Sequence, residues 1–358
     1  MSLEHLTPPV RSFASDNSAG VHPLIIEAIS RANVGHQRAY GYDPYTEAAD
    51  RAFDDLFGQQ VDVFYVWNGT GANVLSLASL LGPAQAVICT SVAHIHVDET
   101  GAPERILGAK LIDVDVADAK LRPEHIEAQT HALGIEHHAQ PGVVSITQSS
   151  ELGTLYSVED IAALVDTAHR HGMTVHLDGA RIANATAALG GTVDVLRSFT
   201  VDAGVDVISF GGTKNGMMHG EAVVFLNRDL AKHAIYVRKQ VTQLPSKMRY
   251  ISAQFEALLT DGLWLANARH SNDMARMLHE TTASIPGLTP GDVPVVNAMF
   301  PSLDRQAIEQ LQRWCPFYDW DVASNTVRWM TSWDTTSDDI ERFAAGVWHV
   351  LESHSENS

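Results

Sequence analysis

The sequence predicts an α/β protein with a mainly parallel central sheet, helices on both faces and a smaller C-terminal α+β domain. Between about residues 50 and 226, short apolar runs alternate with longer amphipathic segments. Such alternation is typical of chains that cross from one parallel strand to the next. After about residue 255 the pattern changes to one long helical segment followed by mixed strands and helices.

The predicted strands of the sheet are apolar runs bounded by turn residues. They cover residues 61–67, 86–89, 111–114, 142–146, 174–177, 205–210 and 222–226. The clearest helix lies at 157–171, where apolar residues recur at helical spacing, with Ser157 as its N-cap and Gly172 as its stop. Ligands of parallel sheets collect at the carboxyl ends of the strands, so the functional site is expected at that edge.

Three segments are expected along the chain. Residues 1–50 form an N-terminal segment that packs with the other domains and contains one helix near 24–33. Residues 51–255 form the large domain and 256–358 the small one. In the small domain we expect helices at 255–282, 304–314 and 338–351, and strands at 293–300, 317–320 and 327–330.

Composition excludes several classes of function. The chain has 358 residues, 45% of them hydrophobic, and a net charge of −19. That charge disfavours nucleic acids and anionic membranes as partners because phosphate groups are repelled. Residues 1–15 lack the apolar block of a signal peptide, and no apolar run approaches the roughly 20 residues of a membrane span. We therefore expect a cytoplasmic protein.

Cysteines and histidines give no metal signature. The chain has only two cysteines, Cys89 and Cys315, so no disulfide framework is implied. Histidines cluster at 137–138 and 169–171 without the spacing or partners of metal ligands. We expect a solvated surface there and no metal site.

Residues that could bind a ligand or take part in catalysis follow three of the predicted strands. Gly69, Thr70 and Gly71 form a turn between a strand and a helix, where backbone N–H groups can bind a phosphate; alternatively, the turn is only structural. Asp178 and Arg181 follow another strand. Asp178 could pair with a protonated pyridine nitrogen, or it could cap the next helix with Arg181 as its ion-pair partner.

The third strand end carries Lys214. It is one of six lysines and the one in a glycine-rich turn after a hydrophobic strand. A lysine partly removed from water has a lowered pKa and can attack an aldehyde, whereas the plain alternative is an exposed turn lysine. The order of phosphate turn, aspartate and lysine is typical of fold-type I enzymes that bind pyridoxal phosphate.

Several motifs, in one order from Phe13 to about Trp333, resemble the low-specificity L-threonine aldolases of the β-eliminating-lyase family. The motifs are Ser15-Asp-Asn, Arg38-Ala-Tyr-Gly-Tyr-Asp, Asn68-Gly-Thr-Gly-Ala-Asn, Ala93-His-Ile-His-Val-Asp-Glu, Ile146-Thr-Gln-Ser-Ser-Glu-Leu-Gly-Thr, Asp178-Gly-Ala-Arg, Gly211-Gly-Thr-Lys-Asn-Gly, Ser246-Lys-Met-Arg and Met330-Thr-Ser-Trp-Asp.

The resemblance implies the cofactor and the residues that hold it. Lys214 would form a Schiff base with pyridoxal 5'-phosphate, and Asp178 would bind the pyridine nitrogen. Gly69, Thr70 and Gly71 would hold the phosphate.

The resemblance also implies a substrate site shared between subunits. His94 would stack on the cofactor ring and is a candidate base, and Arg249 would reach the phosphate of a neighbouring subunit. Ser15, Arg181 and Arg328 would hold the carboxylate of an amino-acid substrate, a task suited to paired guanidinium donors. A homo-oligomer, dimer or tetramer, is therefore expected.

Some of these roles have plain alternatives. Without the resemblance His94 would be taken as a core histidine and Arg328 as a strand residue facing solvent. Some relatives carry a second active-site histidine after the fourth strand, but residues 147–151 contain none, which leaves the base open. His96 or a water molecule are the other candidates.

The activity implied by the resemblance is retro-aldol cleavage of L-threonine, L-allo-threonine and related β-hydroxy-α-amino acids to glycine and an aldehyde. The sequence leaves open β-elimination or racemisation of a small amino acid on the same cofactor, because these reactions differ only in which bond is broken. A non-catalytic relative that retains the cofactor pocket is a more distant alternative.

Overall fold

A computed structural model describes residues 3–355 of the chain. By its internal contacts the chain divides into two compact units. The large unit is Val21–Trp264, and the small unit combines the residues up to Gly20 with those from Leu265 onward.

The large unit is built on a seven-stranded sheet. Its strands are β1 (Asp62–Val66), β2 (Gln85–Thr90), β3 (Lys110–Val114), β4 (Gln140–Thr147), β5 (Thr174–Gly179), β6 (Val207–Phe210) and β7 (Glu221–Phe225). They lie in the order β1-β7-β6-β5-β4-β2-β3. Only β7 runs against its neighbours, pairing antiparallel with β1 and β6. All seven predicted strands are confirmed.

Eleven helices of the large unit connect or cover these strands. They are α1 (Pro23–Ala32), α2 (Pro44–Phe57), α3 (Gly69–Leu80), α4 (His94–Val97), α5 (Ala102–Leu107), α6 (Pro123–Glu127), α7 (Val158–Arg170), α8 (Ile182–Ala188), α9 (Val193–Phe199), α10 (Ala234–Gln240) and α11 (Arg249–Leu259). Ser157 caps α7 by accepting the Asp160 N–H at 3.0 Å, and Gly172 follows that helix with φ 73°, as predicted.

Helices cover both faces of the sheet because strand residues alternate in direction. In β6, Val207 belongs to an apolar cluster with Leu75 of α3. Phe210, three residues later, meets the ring of Phe53 from α2 edge-on at 5.3 Å and lies 6.4 Å from that of Phe255 in α11. The predicted fold class is therefore confirmed.

The small unit contains a second, antiparallel sheet. Its strands are β8 (Ala298–Met299), β9 (Tyr318–Asp321) and β10 (Thr326–Met330), in the order β8-β10-β9. Its helices are α13 (Arg305–Trp314), α14 (Ser337–Ser355) and most of α12 (Leu263–Thr282). Buried Trp329 and Phe343, whose rings meet edge-on at 4.8 Å, lie in its core.

Two predicted elements of the small domain differ in the structure. The helix expected at 255–282 is interrupted by a 3₁₀ turn at Thr260–Gly262, where Asp261 has φ 53° and the helix cannot continue. The strand expected at 293–300 is reduced to β8. Pro294 lacks the N–H that a sheet requires, and Val293 is exposed.

The boundaries of the compact units also differ from the expected segments. Helix α2 begins at Pro44, inside the N-terminal segment where only the helix near 24–33 was expected, and it packs against α11, which also packs against α1. Residues 21–50 therefore belong to the large unit, and that unit extends to Trp264. Among residues 3–355, no helix has the length and apolar character needed to cross a membrane.

Candidate active site

A cavity opens in the large unit where β4, β5 and β6 end. It encloses about 530 Å³ of empty space, part of it open to solvent, within the range of small-molecule sites. Five of the predicted site residues line it: Gly69, His94, Asp178, Arg181 and Lys214. Residues that follow the predicted strands therefore line one cavity of this unit.

Topology explains why these residues converge. Asp178 stands near the end of β5, and Lys214 lies in a 3₁₀ turn, Thr213–Asn215, that follows β6. The carboxyl ends of parallel strands share one edge of a sheet. Because β7 is antiparallel, its first residue, Glu221, comes to the same edge.

The turn before α3 exposes backbone N–H groups at the N-terminus of that helix. Asn68 caps the helix, accepting the Gly71 N–H at 2.8 Å on its side chain and the Ala72 N–H at 3.0 Å on its carbonyl. In the part of the chain that the structure describes, the Gly69 and Thr70 N–H groups have no protein acceptor. They lie at the positive end of the helix dipole, where phosphates bind.

Asp178 is a buried carboxylate held by two donors. One oxygen accepts the Ala180 N–H at 3.0 Å, and the other accepts the Asn73 amide at 2.9 Å. Burial opposes ionisation, but nearby His176, these two hydrogen bonds and His94 outweigh it and lower the pKa of Asp178. Asp178 therefore stays charged, as required to pair with a protonated ring nitrogen.

Asn73 connects Asp178 to His94 through a second carboxylate. The same amide nitrogen donates to Glu99 Oε1 at 2.8 Å, and His94 Nδ1 lies 2.9 Å from that oxygen. The Glu99 hydrogen bond, more than nearby charges, raises the pKa of His94 against the opposing effect of burial. The Nδ1 atom of His94 is thus fixed by Glu99, and the imidazole keeps its proton to a higher pH than an unperturbed histidine does.

A chain of hydrogen-bonded neutral side chains lies within the sheet. It is centred on His176, two residues before Asp178 in β5. His176 contacts Ser145 and Ser209 at 2.9 Å through its two ring nitrogens, and Ser209 contacts Ser76 at 3.2 Å. Complete burial lowers the pKa of His176 to about 4. The imidazole is therefore neutral near pH 7.

A buried acid from β7 contacts the loop that carries Lys214. Glu221 Oε2 accepts the Gly212 N–H at 2.5 Å, and both Glu221 and Lys214 line the cavity. Burial raises the pKa of Glu221 to about 7, against hydrogen bonds from the turn and the charge of Lys214. Its charge is therefore sensitive to pH close to neutrality.

Gly211 allows a close approach of two backbone segments. A Cβ atom at this position would lie 2.2 Å from the Ala180 carbonyl oxygen, and backbone cannot rotate away. At Gly69, which lines the same cavity, an added Cβ meets no atom within 4 Å.

We expect Gly211→Ala to lower the free energy of unfolding by about 2 kcal/mol or more because of this overlap. The measurement is the midpoint of urea unfolding of the cofactor-free protein, and Gly69→Ala is the matched control. Equal midpoints for the two variants would contradict the geometric argument.

The other predicted residues lie away from this cavity. Thr70 and Gly71 belong to the first turn of α3 but do not line it. Arg249 contacts the Gly35 carbonyl at 3.4 Å and the Tyr250 hydroxyl at 3.2 Å, so in its own chain it is not a cavity residue. Ser15 and Arg328 lie in the small unit.

Within the small unit, Ser15 and Arg328 occupy neighbouring positions. Arg328 reaches the Ala14 carbonyl at 3.5 Å, and its guanidinium lies 5.9 Å from the ring centres of Tyr318 and Trp320. Ser15 accepts the Asn17 N–H at 3.2 Å and so caps a short 3₁₀ turn.

Sequence reasoning missed several polar residues of the cavity. They are Asn73, Glu99, Ser149, Glu151, Ser209 and Glu221. Asn73 was accessible in principle, because it lies four residues after Gly69 on the same helix face. The carboxylates were not, since an acidic residue beside an apolar strand gives no sign of which way it points.

The residues present fit pyridoxal phosphate. They supply a lysine amine, a buried carboxylate that stays charged and, at Gly69 and Thr70, helix N–H groups that can bind a phosphate. Together, fold and cavity define the class of fold-type I enzymes that use this cofactor.

Similarity to known proteins narrows this class to one family. The beta-eliminating lyase family matches residues 12–303. Low specificity L-threonine aldolases from a Pseudomonas strain and from Pseudomonas aeruginosa are 41% and 42% identical to the chain, each over 97% of it and 99% of the relative. A Leishmania major threonine aldolase structure superposes with a TM-score of 0.89 at 31% identity, covering 95% of this chain and 99% of that one.

The chain belongs to the beta-eliminating lyase family. It is accordingly a lyase that depends on pyridoxal phosphate.

Proposed function

We propose that the protein cleaves L-threonine, L-allo-threonine and related β-hydroxy-α-amino acids by a retro-aldol reaction to glycine and an aldehyde. The observation that carries this proposal is the convergence of Lys214, Asp178 and His94 on one cavity. The similarity to low specificity L-threonine aldolases supports the choice of substrate.

Lys214 is proposed to hold the cofactor through its side-chain nitrogen and to give way to the substrate amine. When bound, pyridoxal phosphate supplies an electron-withdrawing ring that stabilises negative charge at the substrate Cα. Glu221 lies in the same lining, and Asp178 keeps a negative charge that favours protonation of the ring nitrogen. Asp178 thus supports a positively charged reaction centre.

His94 is proposed to stack on the ring and remains a candidate base. Its Nδ1 faces Glu99, so Nε2 is the nitrogen outside that pair. Arg181 lines the cavity and is proposed to bind the substrate carboxylate. For Ser15 and Arg328 the same role rests on the family resemblance.

The phosphate is assigned to the turn formed by Gly69, Thr70 and Gly71. The Gly69 and Thr70 N–H groups supply donors without a charged side chain, while the Gly71 N–H is bound by Asn68 at 2.8 Å. Arg249, which does not line the cavity of its own chain, is proposed to serve the phosphate of a neighbouring copy. This requires a homo-oligomer, dimer or tetramer, with a shared site, and we propose that it acts in the cytoplasm.

Absorbance spectroscopy combined with product analysis tests the function. The purified protein with pyridoxal phosphate is expected to absorb near the visible edge and to change its spectrum with L-threonine or L-allo-threonine. Glycine and aldehyde are expected in equal amounts. A keto acid with ammonia in their place would indicate β-elimination, and an interconverted amino acid would indicate racemisation; either result would overturn the proposal.

A further inference from the structure

Glu151 is a cavity carboxylate that is anchored through one oxygen. It follows β4 and lines the cavity with Asp178 and Lys214. Its Oε1 accepts the Thr147 hydroxyl at 2.8 Å and the His94 backbone N–H at 3.0 Å. Its Oε2 is buried and has no hydrogen-bond partner among the described residues. The side chain is thus fixed in place with one oxygen left to accept a proton.

The surroundings of Glu151 favour proton uptake. Burial, and to a lesser extent the charge of Asp178, raise the pKa of Glu151 to about 7, although its hydrogen bonds oppose this. A base whose pKa lies near the working pH is present in its charged form and still binds a proton well.

The other acceptors in the cavity are less suited to this task. Glu99 also has a buried Oε2 without a partner among the described residues, but its Oε1 binds the Asn73 amide and His94 Nδ1, so this carboxylate is engaged in positioning His94. Glu221 has its Oε2 bound by the Gly212 N–H. His94 has Nδ1 engaged by Glu99 at 2.9 Å, and this hydrogen bond raises the pKa of His94.

We infer that Oε2 of Glu151 accepts the β-hydroxyl proton of the substrate. This inference rests on the proposed function. As the O–H bond breaks, the proton moves to Glu151 and the C–O bond becomes the aldehyde carbonyl. The Cα–Cβ bond breaks at the same time, and its electron pair remains at Cα, where a later proton completes glycine. Glu151 thereby fills the role that a second histidine fills in some relatives.

The first test is Glu151→Gln, which keeps the side-chain shape and an oxygen for Thr147 and the His94 N–H. We expect kcat for L-threonine cleavage to fall about 10²-fold, the contribution of a positioned base. Exchange of the glycine α-proton in heavy water, followed by NMR, is expected to stay within about twofold because glycine has no β-hydroxyl. Loss of both reactions would show a structural defect and would contradict the inference, as would unchanged cleavage.

The second test uses the pH dependence of kcat/KM. In the wild type the rate is expected to rise as Glu151 loses its proton near pH 7, and this limb is expected to vanish in Glu151→Gln. Thr147→Val removes a hydrogen bond that lowers the pKa of Glu151, so the limb should move to higher pH. Other charged or titratable groups that line the cavity are His94, Glu99, Asp178, Arg181, Lys214 and Glu221.

A measurement that does not depend on turnover identifies the side chain that titrates. Infrared difference spectra of the holoenzyme between acid and neutral pH are expected to contain carboxylic-acid bands, one of which is missing in Glu151→Gln, while that of Glu221, whose pKa is also about 7, remains. If no band were lost in this variant, and if His94→Gln instead removed the pH limb, His94 would be the base. If the wild type failed to cleave L-threonine at all, the proposed function would fail before this inference was reached.

Discussion

Lys214→Ala is expected to lower kcat for L-threonine cleavage by at least about 10⁴-fold, comparable to the loss of a covalent catalytic residue in other enzymes. No other lysine lines the cavity among the described residues, so none can substitute for its amine. The absorbance change that accompanies covalent attachment of the cofactor should disappear as well. Stopped-flow absorbance and product assays measure both effects.

Lys232→Ala is the matched control for this experiment. Its side chain is 69% exposed and paired with Asp229, remote from the cavity lining. We expect it to behave as the wild type. Added methylamine should restore part of the activity of Lys214→Ala by supplying the missing amine. Wild-type turnover in Lys214→Ala without added amine would disprove the assignment of the cofactor lysine.

Asp178→Asn is expected to lower kcat about 10³-fold, the loss seen when one preorganised charge-stabilising group is removed. The amide cannot match the negative charge that favours a protonated ring nitrogen. It can also bring an N–H group against the Asn73 amide, which now donates to Asp178 at 2.9 Å. Two facing donors would loosen the link from Asp178 to Glu99.

Steady-state kinetics and the absorbance of the bound cofactor measure this prediction. Asp166→Asn, an equal chemical change at a side chain that is 71% exposed, serves as the control and should have no effect. A kcat for Asp178→Asn within about threefold of the wild type would exclude the proposed role of this carboxylate.

Periodicity was sufficient to predict the sheet of the large unit but not every element. Buried parallel strands are continuous apolar runs, so all seven could be located. Helix α2 was missed because Asp43 and Pro44, its N-cap and first residue, resemble ordinary loop residues. The break at Asp261 could not be predicted, because one residue with positive φ leaves no trace in the apolar pattern.

The candidate site was predicted only where residue type and strand end coincide. Lys214 and Asp178 follow apolar strands, and the topology then brings them to one cavity. Glu151 and Glu99 lie in short irregular segments, and their positions depend on contacts made only in three dimensions. The sequence therefore predicted Lys214 and Asp178 as site residues, whereas Glu151 and Glu99 could be located only in the structure.

The charge on Asp178 also has a thermodynamic consequence. His176 lies two residues before it in β5, and its pKa of about 4 leaves this histidine neutral. A protonated ring nitrogen would place a full positive charge beside this buried anion. Because a ligand that binds only the folded state shifts the folding equilibrium toward it, cofactor supply would then govern how much of the chain stays folded.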